Sequence, residues 1–327
     1  MASSPSGEPS QTGSGPQTVS GPQTVTWGDL RWTDISNPTD EDAAELGREH
    51  GFHPLDLQDC VSGNVTKVED HGDHIFLLLH FPEEDRRGLV FADRVSMFLG
   101  KDYLVTLHPS SLESVLRLFA SCREDERKRS SLMRSSPYLA YQIIDRLVDA
   151  IFGVLNNVQG DLDSIESIVF EEKKSQAGPI NHARRQIAAL GRIAFPLRLY
   201  LPDISKAQKF SKEDLSIYFS DLKHEVALIS GTIDEMKELL EIYKDTDFVT
   251  SSNRTNNVLS VLTILFTLTI PASLLSSIYG MNVPLPGGLT TGPLEFAGPY
   301  STFLVIAVLM VIPALAMVWY FRRAGWF

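Results

Sequence analysis

From Thr255 to Leu294 the chain runs for 40 residues without an Asp, Glu, Lys, Arg or His, and after Glu295 another 26 uncharged positions follow, up to Arg322. Within these runs Val258–Ile278 and Ser301–Phe321 are each 21 residues long. A helix of that length crosses a hydrocarbon core of about 30 Å. Two such uncharged stretches are rare in soluble domains, so a pair of buried core helices is the weaker alternative. The connector at 282–300 has no Lys or Arg, whereas Arg254 precedes the first stretch and Arg322 and Arg323 follow the second. The positive-inside bias predicts both termini in the cytoplasm and the connector outside. Trp319, Tyr320 and Trp326 fall where an interfacial aromatic belt is expected.

The rest of the chain differs in kind. Of 29 Lys+Arg and 41 Asp+Glu, the last 73 residues hold two positive charges and one negative. Residues 1–254 therefore carry 27 positive and 40 negative charges, a net of −13. Such a body repels phosphates, which excludes a nucleic-acid partner. Cys60 and Cys122 stand far apart with no CxxC pairing, so neither a disulfide scaffold nor a thiolate zinc site is expected. No GxxxxGK[ST] motif and no nucleophile–base pair emerges, so an enzyme is not expected either.

Residues 1–25 are rich in Ser, Gly, Pro and Gln, lack the apolar stretch of a secretory signal and repeat GPQTV at 15–19 and 21–25. A disordered leader is expected there. An α/β domain is expected over 26–130. Asn37-Pro38-Thr39 before Asp40, Glu41 and Asp42 reads as a helix start. His74–Phe81, Val90–Leu99 and Tyr103–Leu107 read as strands, and Ser110–Arg129 as one helix.

Beyond Pro137 the period is helical. Ile144, Val148, Ile151, Leu155, Val158, Leu162, Ile165 and Val169 follow a 4-3 spacing that predicts a long, coiled-coil-like helix. A return helix from about Asn181 to Tyr200 closes a hairpin over 131–204, with Leu201-Pro202-Asp203 expected to break the chain. Leu215, Phe219, Leu222, Val226, Ile229, Ile233, Met236, Leu240 and Tyr243 repeat the 4-3 pattern, and no breaker separates them from the first apolar span. One stalk helix over 205–281 is expected, its transmembrane part at about 256–281. A loop at 282–300, a second span at 301–321 and a basic tail at 322–327 complete the plan. The fold class is thus an α+β/α membrane protein.

The first span is not a generic anchor. Thr263, Thr267, Thr269, Ser273, Ser276 and Ser277 lie among its apolar residues, and Asn256 and Asn257 stand at its inner end. Polar groups inside a span face other helices or water rather than lipid. The second span is almost purely aliphatic. Two helices cannot enclose a hydrated path, so transport requires several subunits.

At the outer end of the first span stands Tyr279-Gly280-Met281-Asn282, and the span contains Pro271. This resembles the Gly-Met-Asn signature of the CorA family of divalent-cation channels, which ends the first of two C-terminal spans. Asn253-Arg254-Thr255-Asn256, the short connector and the basic C-terminus are similar to the family as well. The resemblance covers about residues 27–327. It implies a homopentameric funnel in the cell (inner) membrane, with a pore made by five copies of the first span. It also implies a selectivity filter at Gly280, Met281 and Asn282, where a hydrated Mg2+ is held through its waters. Mg2+ dehydrates reluctantly, so neutral oxygens that bond its waters permit release. The pore positions implied are Asn256, Leu259, Leu262, Ile270, Ser273 and Ser277. Rings of Leu259 and Leu262 would gate by dewetting, although a packed seam also wants leucine there.

Regulation implied by the family places cytosolic Mg2+ between subunits, with Asp221 on the long helix and a partner among Glu83, Glu84 and Asp85; Glu84 and Asp85 are the candidates taken. Co2+, Ni2+ and Zn2+ stand beside Mg2+ as cargo, because zinc-transporting relatives share the signature and the connector holds only one acid, Glu295. His71, His74 and His80 invite a zinc reading, but ordinary surface or core histidines are favoured by their spacing. Two alternatives to Mg2+ influx stay open: zinc transport, proton-coupled or not, and a membrane-anchored cytoplasmic sensor.

Overall fold

The computed structural model describes residues 21–85, 88–169, 177–280 and 301–323. The chain divides into two units, Met1–Asp245 and Thr246–Phe327.

The first unit is built on a six-stranded mixed sheet. Strands β1 (Gln23–Trp27) and β2 (Leu30–Ser36) form a hairpin closed through Gly28, whose φ of 59° is left-handed. β3 (Lys67–Asp70), β4 (His74–Glu84), β5 (Val90–Gly100) and β6 (Tyr103–His108) follow, and the strand order is β1-β2-β6-β5-β4-β3. β2 and β6 run parallel and the other neighbours antiparallel. β4 reads as a continuous apolar run because both its faces are covered. Ile75, Leu77, Leu79 and Phe81 join the larger core, while Phe76 and Leu78 join a smaller one with Leu46, Phe52 and Cys60.

The smaller core lies under two short helices. α1 (Asp40–His50) starts where the sequence predicts, with Thr39 and Asp42 forming a reciprocal capping box. α2 (Pro54–Ser62) has Pro at its first position, and the His53 Nδ1 accepts from the Leu55 N–H. On the other face, the expected helix over 110–129 is two: α3 (Glu113–Glu124) and α4 (Glu126–Leu132). The break is Asp125, which leaves helical geometry and caps α4 by accepting from the Arg127 and Lys128 N–H groups.

α5 (Ser136–Val169), α6 (Ala177–Ile204) and the first half of α7 (Ser216–Tyr279) supply the remaining core. Every residue of the two 4-3 series is buried. α6 does not end at Leu201-Pro202-Asp203 but passes Pro196 and Pro202 to Ile204. Each proline removes one backbone bond, yet buried Ala194, Leu197, Leu201 and Ile204 hold this stretch against the core. Residues Ser205–Phe210 form a 3-10 turn, so α7 begins at Ser216 rather than at 205. Tyr243 at the end of the seam donates to Glu166 of α5 at 3.1 Å.

The second unit holds the rest of α7 and α8 (Ser301–Arg323), both long and apolar enough to cross a membrane. Among its described residues only Ile264 and Phe321 are buried. Val258, Leu265, Phe266, Leu274, Leu304, Ile312 and Leu315 are each more than half exposed. An apolar surface this extensive needs a cover that water cannot provide.

Candidate functional site

A helix turns 100° per residue, which fixes how the pore candidates are arranged on α7. Asn256, Leu259, Leu262, Ile270, Ser273 and Ser277 fall within a sector of about 120°. All six are exposed, and buried Ile264 lies on the opposite side. Thr263 and Phe266 share the same sector, and Phe266 is an apolar member that the sequence reading did not single out.

The hydroxyls on this helix are of two sorts. Thr263, Thr267 and Thr269 donate to the carbonyls of Leu259, Thr263 and Leu265 at 2.8, 2.6 and 2.8 Å. These groups serve their own backbone, as hydroxyls in apolar helices do. Ser273 and Ser277, one turn apart, make no such bond among the described residues, so their hydroxyls are available to water or an ion's hydration shell. Pro271 lies within the unbroken helix between these two groups.

The helix stops at Gly280, whose N–H donates to the Ser276 carbonyl at 2.9 Å. A Cβ on Gly280 would meet that same oxygen at 3.1 Å, so the position is tight for any side chain. Met281 and Asn282 of the expected filter, the connector at 282–300 and its Glu295 lie outside the described residues.

The regulatory candidates are not brought together within one chain. Glu84 ends β4, and its two oxygens accept from Asn157 Nδ2 of α5 at 3.2 and 3.0 Å. Asp85 follows in the turn, where its Oδ1 accepts from the Leu89 N–H at 2.9 Å. Asp221, exposed on α7, interacts instead with Tyr141, Asp145 and Glu225. Asn157 and Asp145 stand about 18 Å apart along α5, at 1.5 Å per residue.

The company of Asp221 was missed at the level of sequence. Asp145 and Asp149 on α5 face Asp221 and Glu225 on α7, which makes four carboxylates with Tyr141 beside them. Burial first, then the like charges of Asp149 and Asp221, raise the Asp145 carboxyl, against a lowering hydrogen bond from Tyr141. Burial and then the charges of Asp145, Asp149 and Asp221 push Glu225 up to about 7. Its Oε2 is buried without a hydrogen-bond partner. Such a group favours a proton or a bound cation over standing ionised and alone. Each helix carries two of these acids at i and i+4, a mildly repulsive spacing, but Glu41/Glu45 and Asp234/Glu238 repeat it elsewhere, so the sequence alone did not single the group out.

The three histidines do not converge. His74 and His80 lie about 20 Å apart along β4, and His80 Nδ1 is 3.0 Å from Thr66 Oγ1. His71 stacks on His74 with ring centroids 4.8 Å apart.

Comparison with known proteins gives a consistent answer. The chain is 27% identical over 303 residues to the cobalt/magnesium transport protein CorA of Thermotoga maritima, covering 90% of this chain and 83% of that protein. Its fold matches the complete structure of the CorA magnesium transporter from Methanocaldococcus jannaschii with a TM-score of 0.74 at 19% identity, covering 93% and 94% of the two chains. It also matches the full-length CmaX protein with a TM-score of 0.71 at 17% identity, covering 91% and 89%. At those identities the structural matches speak to fold alone. The family model described as CorA-like Mg2+ transporter protein matches residues 27–323, nearly the whole chain, and the chain therefore belongs to this family of divalent-metal transporters rather than to any class of enzyme.

Proposed function

We propose that the chain assembles as a homopentameric channel that admits Mg2+ to the cytoplasm down the membrane potential. The observation that carries this reading is the face of α7 from Asn256 to Ser277. It is exposed in the single chain, holds hydroxyls not bonded to the helix, and leads to the Gly280 at which the helix stops. Five copies of this face would enclose a path that two helices cannot. Gly280, Met281 and Asn282 act as the filter at its outer mouth, Ser273 and Ser277 bond the ion's waters, and Leu259 and Leu262 form the narrow apolar segment. A dication moving inward across 100 mV gains about 4–5 kcal/mol, so no nucleotide site is needed. Co2+, Ni2+ and Zn2+ are the competing cargoes. Both termini are cytoplasmic, with the connector outside.

The outer face of α7 supports the assembly. Ile217, Leu228 and Ile242 are 78%, 51% and 55% exposed. With Asp221 they fall within about 60° of one another around the helix. These exposed apolar residues, interspersed with Asp221, His224 and Glu235 on the same face, suit a second copy of the chain. Asp221 on that face then meets the Glu84–Asp85 corner of a neighbour, and cytosolic Mg2+ between them holds the funnel shut. With a net charge of −13 on residues 1–254, subunits repel when that Mg2+ leaves.

The test is Mg2+ entry into proteoliposomes loaded with a Mg2+-sensitive dye. Entry should rise steeply when the interior is clamped negative and stop when the clamp is reversed. Entry indifferent to potential, or dependent on a proton gradient, would replace a channel by a coupled transporter.

A further inference from the structure

The first unit contains a mixed cluster of charged groups and imidazoles between α2 and the edge strand β3. Asp56 on α2 is fully buried, and a buried carboxylate requires compensating partners. Its Oδ1 takes the Lys67 ammonium at 2.8 Å, and its Oδ2 lies 2.8 Å from His71 Nε2. Lys67 also reaches Asp59 at 2.7 Å and Glu69 Oε1 at 3.2 Å. Burial alone would lower the Lys67 ammonium, but its hydrogen bonds to Asp56, Asp59 and Glu69 outweigh that and hold it above its ordinary value. Three carboxylates against one ammonium leave a net charge of −2 with the imidazoles neutral.

Ligand atoms of the same groups also lie close to one another, although His71 Nε2 and Asp56 Oδ2 are already hydrogen-bonded. His71 Nε2 is 2.8 Å from Asp56 Oδ2 and 3.6 Å from Glu69 Oε2, and one ligand atom from each of Asp56, Glu69 and His71 lies within 4.8 Å of the others. Ligand atoms on a tetrahedral ion with bonds of about 2.0–2.2 Å stand about 3.3–3.6 Å apart, within the range of the two shorter separations. Lys67 engages the opposite oxygen of each carboxylate, Asp56 Oδ1 and Glu69 Oε1, so ammonium and ion need not compete for one atom. His74, 6% exposed, stacks on His71 and keeps its Nε2 buried without a hydrogen-bond partner. The stacked ring fixes the plane of His71.

We propose that Asp56, Glu69 and His71 form a site for a divalent ion that favours imidazole nitrogen, of the Zn2+ and Co2+ class, separate from the ion pathway and from the Asp221 cluster. The nitrogen ligand selects against Mg2+, which asks for six oxygens and keeps its waters. The ion replaces the hydrogen bond between Asp56 and His71. It ties α2 to β3, one of the two edge strands of the sheet. His71 is one of three histidines in the sequence segment 71–80, but its proposed co-ligands are Asp56 and Glu69 rather than the other two histidines.

The experiment uses the full chain in detergent, stripped with chelator and dialysed against Zn2+ in excess Mg2+. The native protein should retain one more Zn2+ per chain than His71→Ala. Glu69→Gln, a change at a side chain 45% exposed that leaves the core untouched, should weaken that Zn2+ by at least about tenfold. His80→Ala should keep it. Co2+ in place of Zn2+ should give the intense visible bands of a four-coordinate ion in the native chain and lose them in His71→Ala. Equal Zn2+ content in the native, His71→Ala and Glu69→Gln proteins would overturn the proposal, as would full displacement of Zn2+ by Mg2+.

Discussion

Asp34 and His108 form a buried pair, 4% and 0% exposed, with His108 Nε2 at 3.2 Å from Asp34 Oδ1. Trp32 Nε1 donates to Thr106 Oγ1, which donates in turn to the same carboxylate. Burial lowers the His108 imidazole, but the hydrogen bond and charge of Asp34 outweigh it and raise it above 6.5. A base raised in the folded state contributes stability that is complete below its unfolded value and lost as pH rises through the folded one. The melting temperature should therefore fall as pH climbs above about 6.5, and His108→Asn should flatten that slope; a slope that survives the substitution assigns it elsewhere. At this scale the sequence was unevenly legible. Gly280 and its neighbours stand together in the chain, so their pattern is visible at once. Asp145, Asp149, Asp221 and Glu225 lie on two helices, and only the packing of α5 on α7 makes them one group.

The long helices were legible because a 4-3 apolar pattern admits few packings. All the residues it marked in α5 and α7 are buried, Leu222 among them with no exposed surface. Leu222→Ala should cost about 2–5 kcal/mol, read as a lower denaturation midpoint of the detergent-solubilised chain. An unchanged midpoint would mean that the seam does not hold the helices together. The element boundaries were less legible, for two physical reasons. Pro202 looked like a breaker, but a helix pressed onto a core on one side survives the loss of a hydrogen bond. Asp125 looked like one more polar residue in a helix, but its carboxylate bonds the next helix's N–H groups instead. Asp125→Ala should destabilise by about 1 kcal/mol, the cost of a lost cap, and leave ion uptake unchanged.

For the whole molecule, an acidic body is set apart from an apolar end that carries only three charges in its last 73 residues. The acidic body holds together in the single chain through its two cores, whereas the apolar end leaves nearly all its described surface uncovered. Regulation should follow the charge: Asp221→Lys should leave the assembly's resistance to proteolysis unaffected by Mg2+, while the native protein becomes more cleavable as Mg2+ is withdrawn. A variant that still responds to Mg2+ would move the regulatory ion away from Asp221. The central claim concerns Gly280, Met281 and Asn282 as the filter of a Mg2+ path along α7. It is tested most directly by Mg2+ uptake into proteoliposomes at a fixed inside-negative potential, with the native chain beside Asn282→Ala. The account predicts potential-driven uptake by the native chain and its loss in the variant, with assembly unchanged. Equal uptake by both proteins would contradict the filter, and no uptake by a well-assembled native chain would contradict Mg2+ as the cargo.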